Sequence, residues 1–183
     1  KPNAISEIGC GAGEILNQLY ERMPSSTQFS GYEISPQAFE LCQQRRKQRL
    51  DFYLKNLLAE EVFFDLILCI DIFEHVENHF SFLRNLKQKS QHQVFHIPLD
   101  LSVSSVLRSS PMIYARNVVG HLHYFTKETA LATLKETGYE IVDYFYTAGS
   151  IELQTRSIKT SLAKIPRQIM YRFNPDLTVR LMG

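Results

Sequence analysis

Short apolar runs alternate along the chain with segments in which apolar residues recur at helical spacing. Apolar residues at every second position, or in one unbroken run, predict a strand, whereas a spacing of three to four residues predicts a helix. We therefore predict strands over residues 4–8, 28–34, 51–54, 63–70 and 94–97. We predict helices over residues 14–22, 35–49, 80–89 and 126–137.

This alternation of strands and helices predicts an α/β fold with a doubly wound, mostly parallel sheet covered by helices on both faces. Residues 63–70 form the most apolar run of the chain, so we expect them to be a central strand. Ser35 and Pro36 provide an N-cap and a first helical residue for the second helix. Gly138 is a suitable C-cap for the helix over residues 126–137.

The pattern is less regular after the fifth strand. Residues 139–146 alternate like a strand with one exposed face, and residues 176–182 are interpreted as a final strand. Residues 99–125 make a longer connection than a strand and a helix usually need, and within them residues 102–108 have helical spacing. We interpret residues 99–125 as an insertion on the side of the substrate.

The basic segment 151–183 has four apolar residues on one face of a helix, namely Ile158, Leu162, Ile165 and Ile169. Pro166 is expected to interrupt this helix or to start a new one. An amphipathic helix of this kind is expected to pack on the sheet, and a membrane surface or an acidic partner is the less favoured alternative.

The chain of 183 residues is long enough for one sizeable core, and no linker rich in Pro, Gly or Ser divides it. We therefore predict a single domain over residues 1–183. Both ends of the chain lie close to predicted strands, so we expect that parts of both termini of the domain are missing.

Composition narrows the function classes. A net charge of +1 gives no electrostatic reason to expect a nucleic-acid partner. No apolar run approaches the roughly 20 residues that span a bilayer, so membrane association is not expected. Cys10, Cys42 and Cys69 are widely spaced and include no CxxC pair, which argues against disulfides or a zinc site and fits the cytoplasm. The oligomeric state is left open.

A glycine loop, Gly9-Cys10-Gly11-Ala12-Gly13, lies where the first strand meets the first helix. Glycines allow positive φ there and let a ligand approach the backbone. Glu33 ends the second strand, a suitable place from which to accept hydrogen bonds from ribose hydroxyls. A dinucleotide fingerprint would have glycine at position 14, but Glu14 is there, and its carboxylate would repel a pyrophosphate. The loop therefore favours a nucleoside ligand without phosphate.

Three motifs together resemble a known family. Glu7 to Gly13 resembles motif I of class I S-adenosylmethionine-dependent methyltransferases, and Gly31 to Ser35 resembles their acidic motif after the second strand. Residues 64–78 resemble the fourth strand and the D-x-x-E-H-V loop of the branch with type 11 and type 12 methyltransferase domains and ubiquinone-pathway O-methyltransferases. The resemblance implies a Rossmann-like seven-stranded sheet in the order 3-2-1-4-5-7-6. The last strand of this sheet is antiparallel, and we expect that it can be truncated or missing in this chain.

The resemblance implies a set of residues that bind S-adenosylmethionine, whose product is S-adenosylhomocysteine. The loop glycines and Cys10 surround the methionine and ribose, Glu7 acts near the methionine amino group, Glu33 binds the ribose hydroxyls, and Ile34 packs on the adenine. Asn56 replaces the family's usual Asp as acceptor from the adenine amine. The complete expected set is Glu7, Gly9, Cys10, Gly11, Gly13, Glu33, Ile34, Asn56, Leu57, Ile70 and Asp71.

The resemblance also implies where the methyl acceptor binds. His75 is expected to face the transferred methyl group and to act as a general base for a hydroxyl acceptor, with a structural role as the alternative. Residues expected on the acceptor side are His96, His121, His123 and Tyr124. His75 and His79 have a spacing that can hold a metal on a helix face, but no third ligand is evident, so we expect no metal.

The sequence thus predicts an enzyme that methylates a small molecule, by in-line displacement and preferentially at oxygen. A protein or nucleic-acid methyltransferase and a module that binds S-adenosylmethionine without catalysis are the alternatives. A nicotinamide-dependent oxidoreductase is the third class. Binding titrations with NADH and with S-adenosylmethionine would distinguish it from a methyltransferase.

Overall fold

The structure, a computed structural model, describes residues 1–149 and 158–183, with residues 158–163 described by their backbone alone. Two compact units divide the chain, Lys1–Ile97 and Pro98–Gly183. The prediction of one domain over residues 1–183 is not decided by this division and stays a prediction. Among the described residues, no helix is both long and apolar enough to cross a membrane.

The first unit is built on a parallel sheet of five strands in the order β3-β2-β1-β4-β5. The strands are β1 (Ala4–Ile8), β2 (Gln28–Glu33), β3 (Leu50–Leu54), β4 (Phe64–Ile70) and β5 (Ser90–His96). This order confirms the doubly wound α/β fold and five of the predicted strands. The reversal of strand order at β1 and β4 is the place where ligands bind in such sheets, at the carboxyl ends of the strands.

Three helices connect these strands, namely α1 (Glu14–Arg22), α2 (Pro36–Gln43) and α3 (His79–Lys87). Ser35 caps α2 as predicted, because its side chain accepts a hydrogen bond from the Ala38 amide. Two single turns of 3₁₀ helix, Leu57–Ala59 and Phe73–His75, follow β3 and β4. The core between α1, α2 and the sheet contains buried apolar side chains such as Leu16, Phe29 and Leu50.

The predicted extension of α2 to residue 49 was wrong. The helix ends at Gln43, and residues 45–47 pair one by one with acidic side chains on other segments. Arg49 donates instead to the carbonyl oxygens of Pro24 and Thr27. Neighbouring positive charges repel one another on a continued helix. In the turn, each of these three side chains instead reaches its own acidic partner.

The second unit is helical. Its helices are α4 (Val103–Arg108), α5 (Ser110–Tyr114), α6 (Lys127–Glu136), α7 (Ile158–Phe173) and α8 (Pro175–Met182), with a π-helical turn over Ala115–Val119. The short helix expected within residues 102–108 and the helix after Thr126 are confirmed. Asp176 ties the unit together, since it accepts hydrogen bonds from Lys127, Tyr146 and Arg180.

Two predictions for the second unit were wrong. Residues 139–146 form no strand, and side chains such as Val142 and Phe145 are more than 80% exposed. Alternation indicates a half-buried strand only where a neighbouring strand supplies hydrogen bonds, and within the described residues none pairs with this segment. Residues 176–182 belong to α8 because Pro175 occupies its first turn and the Asn174 side chain accepts from the Leu177 amide.

The helix predicted from the apolar spacing after residue 157 is confirmed by α7. Pro166 does not interrupt it, contrary to our expectation, and the helix continues to Phe173. The side chains of Ile158 and Leu162, on which part of the predicted apolar face depends, lie outside the described residues. Of the other two, Ile165 is 43% and Ile169 is 54% exposed.

Candidate active site at the carboxyl edge of the sheet

The glycine loop connects β1 to α1 at the carboxyl edge of the sheet. Gly9, Gly11 and Gly13 all have positive φ, between 54° and 76°. A Cβ atom on Gly13 would lie 2.6 Å from the Phe52 ring, whereas one on Gly11 would meet nothing within 4 Å. Gly13 is therefore required for packing beneath the loop, and Gly11 leaves an open space above it.

Glu33 holds the loop from the end of β2. Its Oε2 accepts a hydrogen bond from the Gly11 amide at 2.8 Å. Its Oε1 accepts from the amides of Ile34 and Ser35 at 2.8 and 2.9 Å. A carboxylate has about four acceptor positions, so one remains for a ligand while the other three fix the loop.

Glu7 is a buried acid directly beneath this loop. The residue is 2% exposed, and its Oε2 is buried with no hydrogen-bond partner in the described part of the chain. Burial, with a smaller contribution from the charge of Glu33, raises the pKa of Glu7 from an ordinary 4.5 to about 8. A buried acid of this kind can pair with a cationic group of a ligand.

Because folded Glu7 keeps its proton up to about pH 8 and an ordinary Glu loses it near 4.5, the folded state binds more protons between those values. The free energy of unfolding should fall as pH rises through this range. Glutamine cannot ionise, so we expect the free energy of unfolding of Glu7→Gln to fall less than that of the wild type as pH rises. At pH 9 the variant should be the more stable protein. Urea unfolding at pH 5, 7 and 9 measures the difference.

The exposed Glu61, replaced by glutamine, is the control and should keep the wild-type pH profile. Parallel pH profiles for the wild type and Glu7→Gln would contradict an uncharged Glu7 in the folded protein.

The adenine end of the expected site lies beyond β2 and β3. Ile34 is 73% exposed, as a residue that packs on a ligand ring must be. The Oδ1 of Asn56 accepts from the Leu58 amide at 3.0 Å and caps the turn that begins at Leu57. This oxygen keeps a second lone pair for an adenine amine. Leu57 itself is fully buried, so its side chain supports the turn from below.

The turn after β4 brings Asp71 and His75 to the same edge. Ile70 is half-buried, and Asp71 has a φ of 51°, a value that is rare for residues other than glycine. Ile72 packs against the glycine loop so closely that a Cβ on Gly9 would clash with its side chain. His75 ends the 3₁₀ turn and is half-buried.

His96 ends β5 beside this turn. Its Nδ1 lies 2.5 Å from Oδ1 of Asp71, and its carbonyl oxygen accepts from the Asp71 amide at 3.1 Å. The sequence placed Asp71 with the cofactor and His96 with the acceptor. It did not predict that the two side chains form a pair.

The other expected acceptor residues belong to the second unit. His121 is buried, and its Nδ1 lies 2.5 Å from Oδ2 of Asp100. His123 is half-buried, and the Tyr124 hydroxyl donates to the carbonyl oxygen of Met112 at 3.0 Å. Asp100, two residues after Pro98, was not among the residues predicted from the sequence, and it is the partner of His121 in the structure.

Residues 1–144 match a family described as the methyltransferase domain. The chain belongs to this methyltransferase family. The glycine loop and Glu33 lie within the matched residues. No curated protein sequence matches this methyltransferase.

Solved structures share the fold at low sequence identity. A complex of the Haloferax volcanii Trm112 methyltransferase activator with a methyltransferase matches with a TM-score of 0.69 and 10% identity, over 94% of this chain and 78% of that chain. The magnesium protoporphyrin IX methyltransferase of Synechocystis PCC 6803, with bound SAH, matches with a TM-score of 0.58 and 16% identity. The match covers 76% of this chain and 64% of that chain.

The O-methyltransferase of a trans-AT PKS multienzyme from Brevibacillus brevis, in complex with S-adenosyl-L-homocysteine, matches with a TM-score of 0.45 and 21% identity over 52% of this chain. Our methyltransferase spans only 36% of that relative's length.

The geometry of the first unit fits S-adenosylmethionine. The ligand carries an ammonium group, whose charge would favour loss of the proton from the buried Glu7 carboxyl beside it, and a ribose, for which Glu33 retains an acceptor position. The open space above Gly11 allows the ligand to lie against the backbone. The residues present are therefore consistent with the donor that the family uses.

Proposed function

We propose that this methyltransferase transfers the methyl group of S-adenosylmethionine to a hydroxyl oxygen of a small molecule. The observation that carries the choice of oxygen is the presence of two histidines, His75 and His96, at the carboxyl edge of the sheet. A hydroxyl acceptor must lose a proton as the new bond forms, and a histidine is suited to take it near neutral pH.

Residues of the first unit would each bind a different part of S-adenosylmethionine. Glu33 and the glycine loop bind the ribose, Ile34 covers the adenine, and Glu7 binds the ammonium group of the methionine part. Methyl transfer is an in-line displacement, so the protein contributes alignment of the acceptor with the methyl group and exclusion of water. The bound donor supplies an activated methyl group on a sulfonium.

The acceptor is proposed to be a small molecule because the net charge of +1 provides no strong field for a nucleic acid. His121, His123 and Tyr124 remain proposed acceptor residues of the second unit. A module that binds the donor without catalysis is the alternative, and it would bind equally well but show no turnover with any acceptor.

Calorimetric titration should detect binding of S-adenosylhomocysteine in the micromolar range, with no comparable heat from NADH. A panel of phenols, sugars and hydroxy acids, each incubated with S-adenosylmethionine, should then give at least one product heavier by one methylene group. The Glu61→Gln protein is the matched control for both measurements. Absence of binding to both S-adenosylmethionine and S-adenosylhomocysteine would overturn the proposed function.

A further inference from the structure

Asp71 and His96 are held together by two contacts between neighbouring strands. Ile70 is paired with His96 in the register of β4 and β5, so Asp71 is the first residue beyond the ladder. Its amide donates to the His96 carbonyl oxygen, and its Oδ1 lies 2.5 Å from Nδ1 of His96. The backbone bond fixes the main chain of His96 beside Asp71, and the carboxylate of Asp71 orients the imidazole.

The backbone of Asp71 is strained in a way that serves this pairing. Its φ of 51° lies in the left-handed region, which among the described non-glycine residues only Ser109 shares. Residues in this region cost free energy and persist where the surroundings hold them, most often at functional sites. The strained turn places the carboxylate on His96, although a glycine would have adopted the same φ without cost.

This pair lies beside the donor loop. Ile72, the residue after Asp71, contacts Gly9, and β4 is the neighbour of β1 in the sheet. The carboxyl ends of β1, β4 and β5 meet at one edge, where parallel sheets bind their ligands. The pair is 49% exposed at the Asp71 side chain and 38% at His96, so a ligand can reach it.

A carboxylate on Nδ1 fixes the tautomer of a neutral histidine. The Nδ1 carries the proton and donates to Asp71, which leaves the lone pair on Nε2. The hydrogen bond that His96 donates to Asp71 raises the pKa of His96, burial opposes this shift, and the charges of Asp71 and Glu74 raise the pKa further. An imidazole held in this way can take a proton and is stabilised as the cation that results.

We propose that His96 is the general base of the methyl transfer and that Asp71 is its positioning residue, an assignment that rests on the proposed function. The acceptor oxygen forms a bond to the methyl carbon as the bond from carbon to sulfur breaks. The electron pair of that bond returns to sulfur, and the acceptor proton moves to Nε2 of His96. In this assignment Asp71 does not bind the methyl donor. His75, whose Nε2 lies 4.0 Å from Oε1 of Glu74, is not the base.

A nuclear magnetic resonance titration of the whole chain tests this proposal without a known acceptor. S-adenosylmethionine carries a positive sulfonium, whereas S-adenosylhomocysteine is neutral at sulfur. If Nε2 of His96 faces the methyl group, its pKa should be lower by about 1 with S-adenosylmethionine than with S-adenosylhomocysteine. His92 lies four residues earlier on β5, about 13 Å away, and should show a much smaller difference.

Two variants complete the test. Asp71→Asn should lower the pKa of His96 and leave the Kd for S-adenosylhomocysteine within about threefold. With an accepted hydroxyl compound, His96→Gln should lower kcat by about 100-fold or more with little change in KM for S-adenosylmethionine. His92→Gln, a histidine variant on the same strand, should match the wild type.

The outcomes separate this inference from the proposed function. If neither ligand binds, the proposed function fails. Two other outcomes would overturn the assignment of His96 as base and Asp71 as its positioning residue. In the first, both ligands bind but His75 rather than His96 responds to the sulfonium. In the second, Asp71→Asn loses affinity for S-adenosylhomocysteine by more than tenfold, and in both cases the methyltransferase assignment stands.

Discussion

Gly13→Ala is expected to lower the free energy of unfolding of the methyltransferase by about 2–4 kcal/mol and to abolish detectable binding of S-adenosylhomocysteine. Gly13 has a φ of 76°, and an added Cβ would lie 2.6 Å from the Phe52 ring and 3.0 Å from Cβ of Cys42. Both neighbours are buried in the core, so neither can move without a new cavity or clash. The displaced loop would no longer present its backbone to the ligand.

Gly11→Ala is the matched control for stability, because it adds the same methyl group to the same loop. Its φ of 54° is also positive, but nothing lies within 4 Å of the added atom. It should therefore cost only the backbone strain, about 1 kcal/mol. Urea unfolding of the two variants measures the difference. Equal losses of stability would show that the packing of Phe52 beneath Gly13 is not what makes this glycine necessary.

Glu33→Ala is expected to weaken binding of S-adenosylhomocysteine by at least about 100-fold and to destabilise the fold by about 2–3 kcal/mol. The substitution removes the acceptor of three backbone amides, those of Gly11, Ile34 and Ser35. Glu33 is 7% exposed, so water cannot replace all of these bonds. Calorimetry gives the affinity, and urea unfolding gives the stability.

Glu40 provides the comparison, since it is an exposed glutamate on the helix that follows Glu33. Glu40→Gln should change stability by less than about 0.5 kcal/mol and leave the affinity unchanged. A Glu33→Ala protein that is destabilised as expected but binds S-adenosylhomocysteine normally would limit Glu33 to a structural role in the loop.

The fold of the first unit was predictable because its signals are local. An apolar run such as residues 64–70 and a cap such as Ser35-Pro36 are each complete within a few residues. The second unit was less predictable. Residues 139–146 have the alternation of a strand, but a strand also needs a hydrogen-bonded neighbour, which is a property of other segments. For α8, the cap formed by Asn174 and Pro175 was a local signal that the sequence analysis did not use.

The local geometry of the glycine loop was predictable to a similar degree, because its three glycines and Glu7 lie within seven consecutive residues. Glu33 lies 20 residues beyond Gly13, and the roles of these residues toward a donor stay predictions. Glu14 would repel a phosphate less than its charge alone suggests, because Arg45 pairs with Glu14 at 2.9 Å and offsets that charge. The family match over residues 1–144 shows a methyltransferase domain, and S-adenosylmethionine as its donor is supported by that match rather than by repulsion of a phosphate.

The sequence by itself determined that five strands form and where the glycine loop and its acids Glu7 and Glu33 lie, because each depends on a pattern within one or two neighbouring elements. The order of the strands was implied by the family resemblance and confirmed by the structure. Only the tertiary structure decided that Phe52 supports Gly13 and that Asp71 pairs with His96 across 25 residues. Those contacts join segments far apart in the chain. Their geometry depends on strand register and on the packing of the whole sheet, which a local pattern does not contain.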